Sequence, residues 1–202
     1  MKRSLAFACA LGLAALVCQS ARALTLDDVS RAIGGFDTLR ADYSQVRTFS
    51  GGDDPLKSSG SMLLCRGKGL IWEQSEPFSL TLAATSSRII QDVEGARETL
   101  TREGNPQAFE ISEALLGAMT DPASSARDFK AEASGSKDAW KAVLVPKEGT
   151  GEAAVIKRIE LEGGAALERA VILDQAGGRT EIAFSNQKTG VSLSDQEAQL
   201  LE

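Results

Sequence analysis

The chain has 202 residues, 28 acidic against 22 basic, a formal net charge of −6 at pH 7, and no histidine. The missing histidine removes Ser-His-Asp and Cys-His catalysis and most zinc sites. The acidic balance disfavours binding to nucleic acid and to anionic lipid surfaces.

The first element is a leader. Lys2 and Arg3 precede an apolar run from Leu5 to Val17, and Gln19-Ser20-Ala21-Arg22-Ala23 follows. A charged start, a short apolar core and an Ala-x-Ala end describe a secretory signal peptide, with cleavage expected after Ala23. The run is shorter than the roughly 20 apolar residues a membrane span requires. The competing readings are an uncleaved anchor and lipidation of Cys18, before which Val17 is a poor fit. Residues 1–23 therefore read as signal peptide, and residues 24–202 as one soluble domain with periplasmic localisation. Cleavage removes Lys2, Arg3 and Arg22 and no acidic residue, so the remaining domain is more acidic still. Cys9 and Cys18 leave with the leader, so Cys65 has no partner for an internal disulfide. It ends an apolar run and reads as a buried, inert thiol.

A short helix is expected over Leu24–Phe36. Thr25 is placed to cap it, Asp27 and Asp28 suit its positive end, and Gly34-Gly35 ends it. From Asp37 to Thr101 the period changes to two. Leu39, Ala41 and Tyr43 share one face of a first strand, and Gly51-Gly52-Asp53-Asp54-Pro55 forms a turn. Strands follow over Leu56–Arg66, Leu70–Gln74 and the alternating Phe78, Leu80 and Leu82. Two more lie near Arg88–Asp92 and Arg97–Thr101. Strands of this length joined by short turns make an antiparallel meander.

The helical period returns over Pro106–Thr120. Ala108, Ile111, Leu115, Ala118 and Met119 share a face, Asn105-Pro106 is a good start, and Asp121-Pro122 a stop. Five further strands are expected over Phe129–Ser134, Ala139–Pro146, Ala154–Glu162, Leu167–Asp174 and Thr180–Asn186, the last two joined by the turn Gln175-Ala176-Gly177-Gly178. Ser194–Glu202 reads as a short terminal helix or a frayed tail. About ten strands in one domain must curl or split into two sheets to cover their apolar faces. The expected class is mainly β with α: a strongly curved, incomplete antiparallel barrel with one amphipathic helix across its mouth.

Few residues carry reactive chemistry. Asp53 and Asp54 belong in a turn, Glu73 and Glu76 bracket a strand end, and no glycine doublet forms a phosphate loop between strand and helix. No catalytic residue, metal site or cofactor is expected. Met62, Leu63, Leu64, Leu70, Ile71, Trp72, Phe78, Leu80 and Leu82 are either ordinary core or the wall of a cavity. Aromatic residues make up only 5% of the chain, so bulky plugs are scarce, and wide curved sheets can enclose ligand space. Arg66 is either a strand-end surface residue or a polar contact beside that space.

Several of these segments in order resemble the outer-membrane lipoprotein carrier (LolA-like) family. Leu39-Arg40-Ala41-Asp42-Tyr43-Ser44-Gln45 is similar to its alternating run ending in aromatic-x-Gln. Gly60-Ser61-Met62-Leu63-Leu64-Cys65-Arg66 resembles its Gly-x-apolar strand ending in Arg, and Leu70-Ile71-Trp72-Glu73 with Pro77 its apolar-x-Trp then Pro step. Ile159–Phe184 looks like its C-terminal hairpins. The resemblance implies a half-barrel under a helical lid, taking up lipoprotein acyl chains from an inner-membrane donor complex for an outer-membrane acceptor. It implies lipid contacts from Tyr43, Met62, Leu64 and Trp72, and from Phe78, Leu80 and Leu82. Ile111, Leu115 and Met119 become the inner face of the lid, and Arg66 a latch bonded to lid backbone. The expected cargo is a lipoprotein or another acylated lipid, and the expected state a monomer. Gly67 stands where the family has proline, and the end of the chain lacks the family's last strand with its Pro-Gly step. An envelope assembly factor gripping a protein on the curved sheet is the alternative.

Overall fold

The computed structural model describes residues 23–202 apart from Asp53; the side chains of Gln107 and Ile111 also lie outside the described residues. So do residues 1–22, and with them all but the last residue of the expected leader, including Cys9 and Cys18.

Thr25 caps α1 (Leu26–Ile33) through a reciprocal capping box with Asp28. The chain then forms six strands in a meander: β1 (Thr38–Thr48), β2 (Leu56–Cys65), β3 (Gly69–Glu76), β4 (Leu80–Thr85), β5 (Arg88–Val93) and β6 (Ala96–Thr101). Helix α2 (Pro106–Thr120) follows, with Pro106 in its first turn. Asn105 makes no side-chain cap bond. Five strands complete the sheet: β7 (Phe129–Ser136), β8 (Ala139–Pro146), β9 (Ile156–Gly163), β10 (Leu167–Asp174) and β11 (Arg179–Thr189). The chain closes with α3 (Asp195–Leu200).

All eleven strands belong to one antiparallel sheet in the order β6-β5-β4-β3-β2-β1-β11-β10-β9-β8-β7. Its edges, β6 and β7, do not pair, so the barrel is unclosed. The β1–β11 pairing joins the two meanders and puts Tyr43 opposite Phe184. Register fixes the faces. Ala41, Met62, Trp72 and Leu82 are successive partners across β1–β4, and Leu39, Leu64, Leu70, Ala84 and Ile89 form the next row through β5. Both rows point into the concave side. Gly60 sits at a bulge between β2 and β3, where a Cβ would lie 1.8 Å from the Glu73 carbonyl oxygen, so only glycine fits.

Two helices cover the concave side. Val29 and Ile33 of α1 join a cluster with Phe129, Trp140, Leu144 and Ile159. Ala114, Ala118 and Met119 of α2 join the same cluster. Phe109, fully buried, packs instead with Ala84 and Ile89 near the β6 edge. Apolar residues on more than one face suit a helix wedged between two clusters.

The convex side has its own cover. Leu63, Cys65, Ile71, Ala83 and Ile90 are buried beneath Leu200 and Leu201. Ser194 and Glu197 form a capping box for α3. Arg40 pairs with Glu197 at 2.8 Å, and Arg88 Nη2 donates to the Gln199 carbonyl at 2.9 Å. The terminal segment is thus a docked helix. Cys65 is a free thiol beneath it, and burial pushes its pKa up.

Candidate functional site

A hollow of about 430 Å3 lies between α2 and the middle of the sheet, within the range of roughly 300–1,000 Å3 typical of small-molecule pockets. Leu70, Trp72, Leu82 and Ala84 of β3 and β4 form one wall. Ile159, Leu161, Ala170 and Ile172 of β9 and β10, with Ile182 of β11, form the other. Leu115, Leu116 and Met119 of α2 close the top. The polar lining residues are Gln45 and Thr180 of β1 and β11, Lys68, Thr85 and Ser86 at the β3 and β4 ends, and Ser112 and Glu113 of α2.

A second hollow of about 250 Å3 lies beside the α1–β1 link, between Ile33, Phe36, Leu39, Met62, Leu64 and Phe184. Met119 borders both hollows. Its flexible thioether is the partition between them, and such a side chain repacks readily.

The expected contacts divide accordingly. Trp72, Leu82, Leu115 and Met119 line the main hollow, while Met62 and Leu64 face the second. Tyr43 is buried behind Trp72, ring centroids 4.0 Å apart, and Trp72 meets Phe184 edge-on at 6.5 Å. Burial raises the Tyr43 phenol pKa. Leu80 is half-buried on the concave face beyond the hollow. Phe78 precedes β4 and is 45% exposed, so it touches neither hollow; the alternation continues through it, but the strand does not. The Ile111 side chain lies outside the described residues. Sequence reasoning missed the wall from β9–β11 and the Phe109 anchor.

Arg66 lies at the end of β2, beside the start of β1, and its amide donates to the Asp37 carbonyl at 2.8 Å. Its Nε donates to the Phe36 carbonyl at 2.9 Å, its Nη2 donates to the Gly34 carbonyl, and its guanidinium sits 5.7 Å from the Phe36 ring centroid. These bonds go to the α1–β1 link and not to α2, where the resemblance placed them. The reason is topological: β2 pairs with β1, so its end meets the segment that feeds β1. Among the described residues Arg66 is linked to α2 through α1 and its end: Gly34 lies against the Thr120 carbonyl, and the Ser30 hydroxyl accepts from the Ala123 amide at 2.9 Å just past α2. Gly67 has φ +73°, which a proline ring forbids.

Among the described residues no group of three or more His, Cys, Asp or Glu is placed to hold a metal, and no helix is long and apolar enough to cross a membrane. An unclosed sheet curved around an aliphatic hollow, roofed by a helix, defines a hydrophobic-ligand half-barrel. Residues 34–199 match the family described as outer membrane lipoprotein carrier protein LolA, and the chain belongs to that family. It is similar to an outer-membrane lipoprotein carrier protein of Methylococcus capsulatus, 30% identical over 158 residues that cover 77% of this chain and 73% of the relative. The crystal structure of a LolA superfamily protein from Nitrosomonas europaea shares the fold, with a TM-score of 0.52 at 10% identity, over 86% of this chain and 97% of that one.

Proposed function

We propose that this protein is a periplasmic, non-enzymatic carrier. It holds the acyl chains of a lipoprotein, or of a related acylated lipid, in the hollow beneath α2. It accepts them from an inner-membrane export complex and delivers them toward an outer-membrane acceptor, acting as a monomer. The observation that carries this reading is the apolar space of about 430 Å3 between Trp72, Leu82, Ile159 and Leu115. Burying one methylene is worth about 0.8 kcal/mol, so a chain of roughly 16 carbons gains on the order of 12 kcal/mol. The membrane supplies the same burial, so the hollow must match most of that gain to draw a lipid out, and a hollow that matches it fully holds the lipid too tightly for easy release. Opening α2 and parting Arg66 from Gly34 and Phe36 offset part of the gain, which makes binding reversible.

In this reading α2 is the lid, with Leu115 and Met119 on its inner face, and Arg66 holds the empty form closed through α1. The test compares wild type with Arg66→Leu, measuring lipid content after purification and release of lipoprotein from inner-membrane vesicles into the soluble fraction. Wild type releases lipoprotein into solution, and Arg66→Leu retains lipid and transfers it poorly. Unchanged loading and unchanged transfer in the variant would remove the latch role. No soluble lipoprotein with wild type would remove the carrier reading.

A further inference from the structure

One end of the main hollow carries polar groups from three segments of the chain, Lys68, Ser86 and Glu113. Gly69 pairs with Thr85 across β3 and β4. Lys68 and Ser86 each lie one residue further on, and both line the hollow. The Ser86 carbonyl accepts from Arg102 Nη2 at 3.1 Å. Arg102 comes from the turn after β6 and also reaches α2. Its Nη1 donates to Glu113 Oε2 at 3.2 Å, its Nη2 donates to Glu113 Oε1, and its guanidinium lies 4.9 Å from the Phe109 ring centroid. Two cations therefore flank Ser86 on a chain whose net charge is −6. Glu113 is the carboxylate bonded to Arg102, and Glu110, one turn earlier on α2, also acts on Arg102 through its charge. Among the described residues Lys68 has no acidic partner.

We propose that Lys68 and Arg102 form a headgroup subsite for the carboxylate or phosphate of an amphiphile whose chain fills the hollow. The proposal rests on the acyl-chain reading above and adds a chemical class to it. A chain lying along the aliphatic wall leaves its polar end at the rim, where a planar guanidinium fork matches a carboxylate or phosphate in bidentate geometry. In the empty protein the Glu113 carboxylate occupies that fork and ties the middle of α2 to the β4–β5 turn through Arg102. An incoming anion competes for Arg102 and is held by Lys68, so the same exchange that seats the headgroup frees α2 from the sheet. Phe109, buried against Ala84 and Ile89, keeps the start of the helix in place while the rest moves. Exposed ion pairs are weak individually, which suits a contact that cargo must displace.

The test is competition against an environment-sensitive long-chain fluorescent probe bound to the full-chain protein. The competitors share one chain length: palmitate, hexadecyl phosphate and uncharged hexadecanol. The two anions should compete about tenfold better than the alcohol, the size expected for a charge-assisted contact. That ratio should fall toward one in both Lys68→Met and Arg102→Gln, and rise in Glu113→Gln. Inorganic phosphate at millimolar concentration should leave the ratio unchanged, which assigns the subsite to lipid headgroups; a phosphate-dependent fall would keep the anion subsite and assign it to free anions. Equal competition by anions and alcohol in wild type, or an unchanged ratio in both cation variants, would overturn the proposal. Failure of all three amphiphiles, hexadecanol included, would remove the acyl-chain reading and the subsite with it.

Discussion

Two parts of the sheet solve the same packing problem in opposite ways. At the β7–β8 end the concave side is filled: Phe129, Trp140 and Leu144 pack against Val29 and Ile33 of α1. The convex side there carries charge, with Lys141 between Glu160 and Glu162, and Arg169 between Glu162 and Glu181. Around β2–β4 the concave side borders the hollows, and the convex side carries the hydrophobic packing, under Leu200 of α3 and Leu201 just past it. Strands that must leave their inner face vacant lose the burial that normally holds a strand in place. Moving that burial to the outer face lets β2, β3 and β4 stay rigid around an empty space.

The contrast predicts where damage is greatest. Trp140 is 3% exposed and its Nε1 donates to the Gly164 carbonyl at 2.7 Å. Trp140→Ala should cost about 3–5 kcal/mol in denaturant unfolding. A loss below about 1 kcal/mol would mean that the filled end is looser than described. Leu201→Ala, in the other part and on the other face, should cost about 2 kcal/mol and make Cys65 accessible to thiol reagents in the folded protein. A thiol that stays protected, with stability unchanged, would show that α3 is not what holds the cavity strands.

Leu115→Glu should change stability by only about 1 kcal/mol, because the half-buried Leu115 faces a hollow and its replacement can hydrate. Loading of long-chain ligands should nevertheless be abolished while circular dichroism retains the sheet. Global unfolding would make α2 part of the core and not a lid.

The smallest effect expected is that of pH on α3. The Arg40 guanidinium, followed by Ser194, holds the Glu197 carboxyl down at about 2, against an ordinary value of 4.5. A depressed folded-state pKa adds stability that is complete above the ordinary value and lost as pH falls toward 2. This one contact, with Arg40 partly exposed, should amount to on the order of 1 kcal/mol. Glu197→Gln should flatten the loss between pH 5 and 2 in the range expected for one carboxylate; an unchanged profile would show that Glu197 does not anchor the helix.

Much of this arrangement was legible in the residues, because local periods survive in the fold. Helix α2 runs over Pro106–Thr120 and β10 over Leu167–Asp174, the bounds their patterns imply. Alternation also put Leu82 on one face with Leu80, and the apolar group singled out around it includes Leu70 and Trp72, which line the hollow beside it. It could not say which stretches of β9–β11 stand across the hollow from them, because that depends on how far the whole sheet curves. The convex cover left a trace that alternation alone overlooks. Met62, Leu63, Leu64 and Cys65 are apolar at consecutive positions, the mark of a strand buried on both faces. Phe78 shows the opposite error, an alternating residue stranded before β4 begins. Arg66 required the β1–β2 pairing, and Phe109 required knowing that α2 touches two clusters.

The most direct test of the central claim is mass spectrometry of the lipid carried by protein isolated from the periplasm, with wild type and Leu115→Glu side by side. If the hollow is an acyl-chain site, wild type carries an acylated lipid that the variant lacks. Lipid in equal amount in both proteins, or in neither, would contradict it.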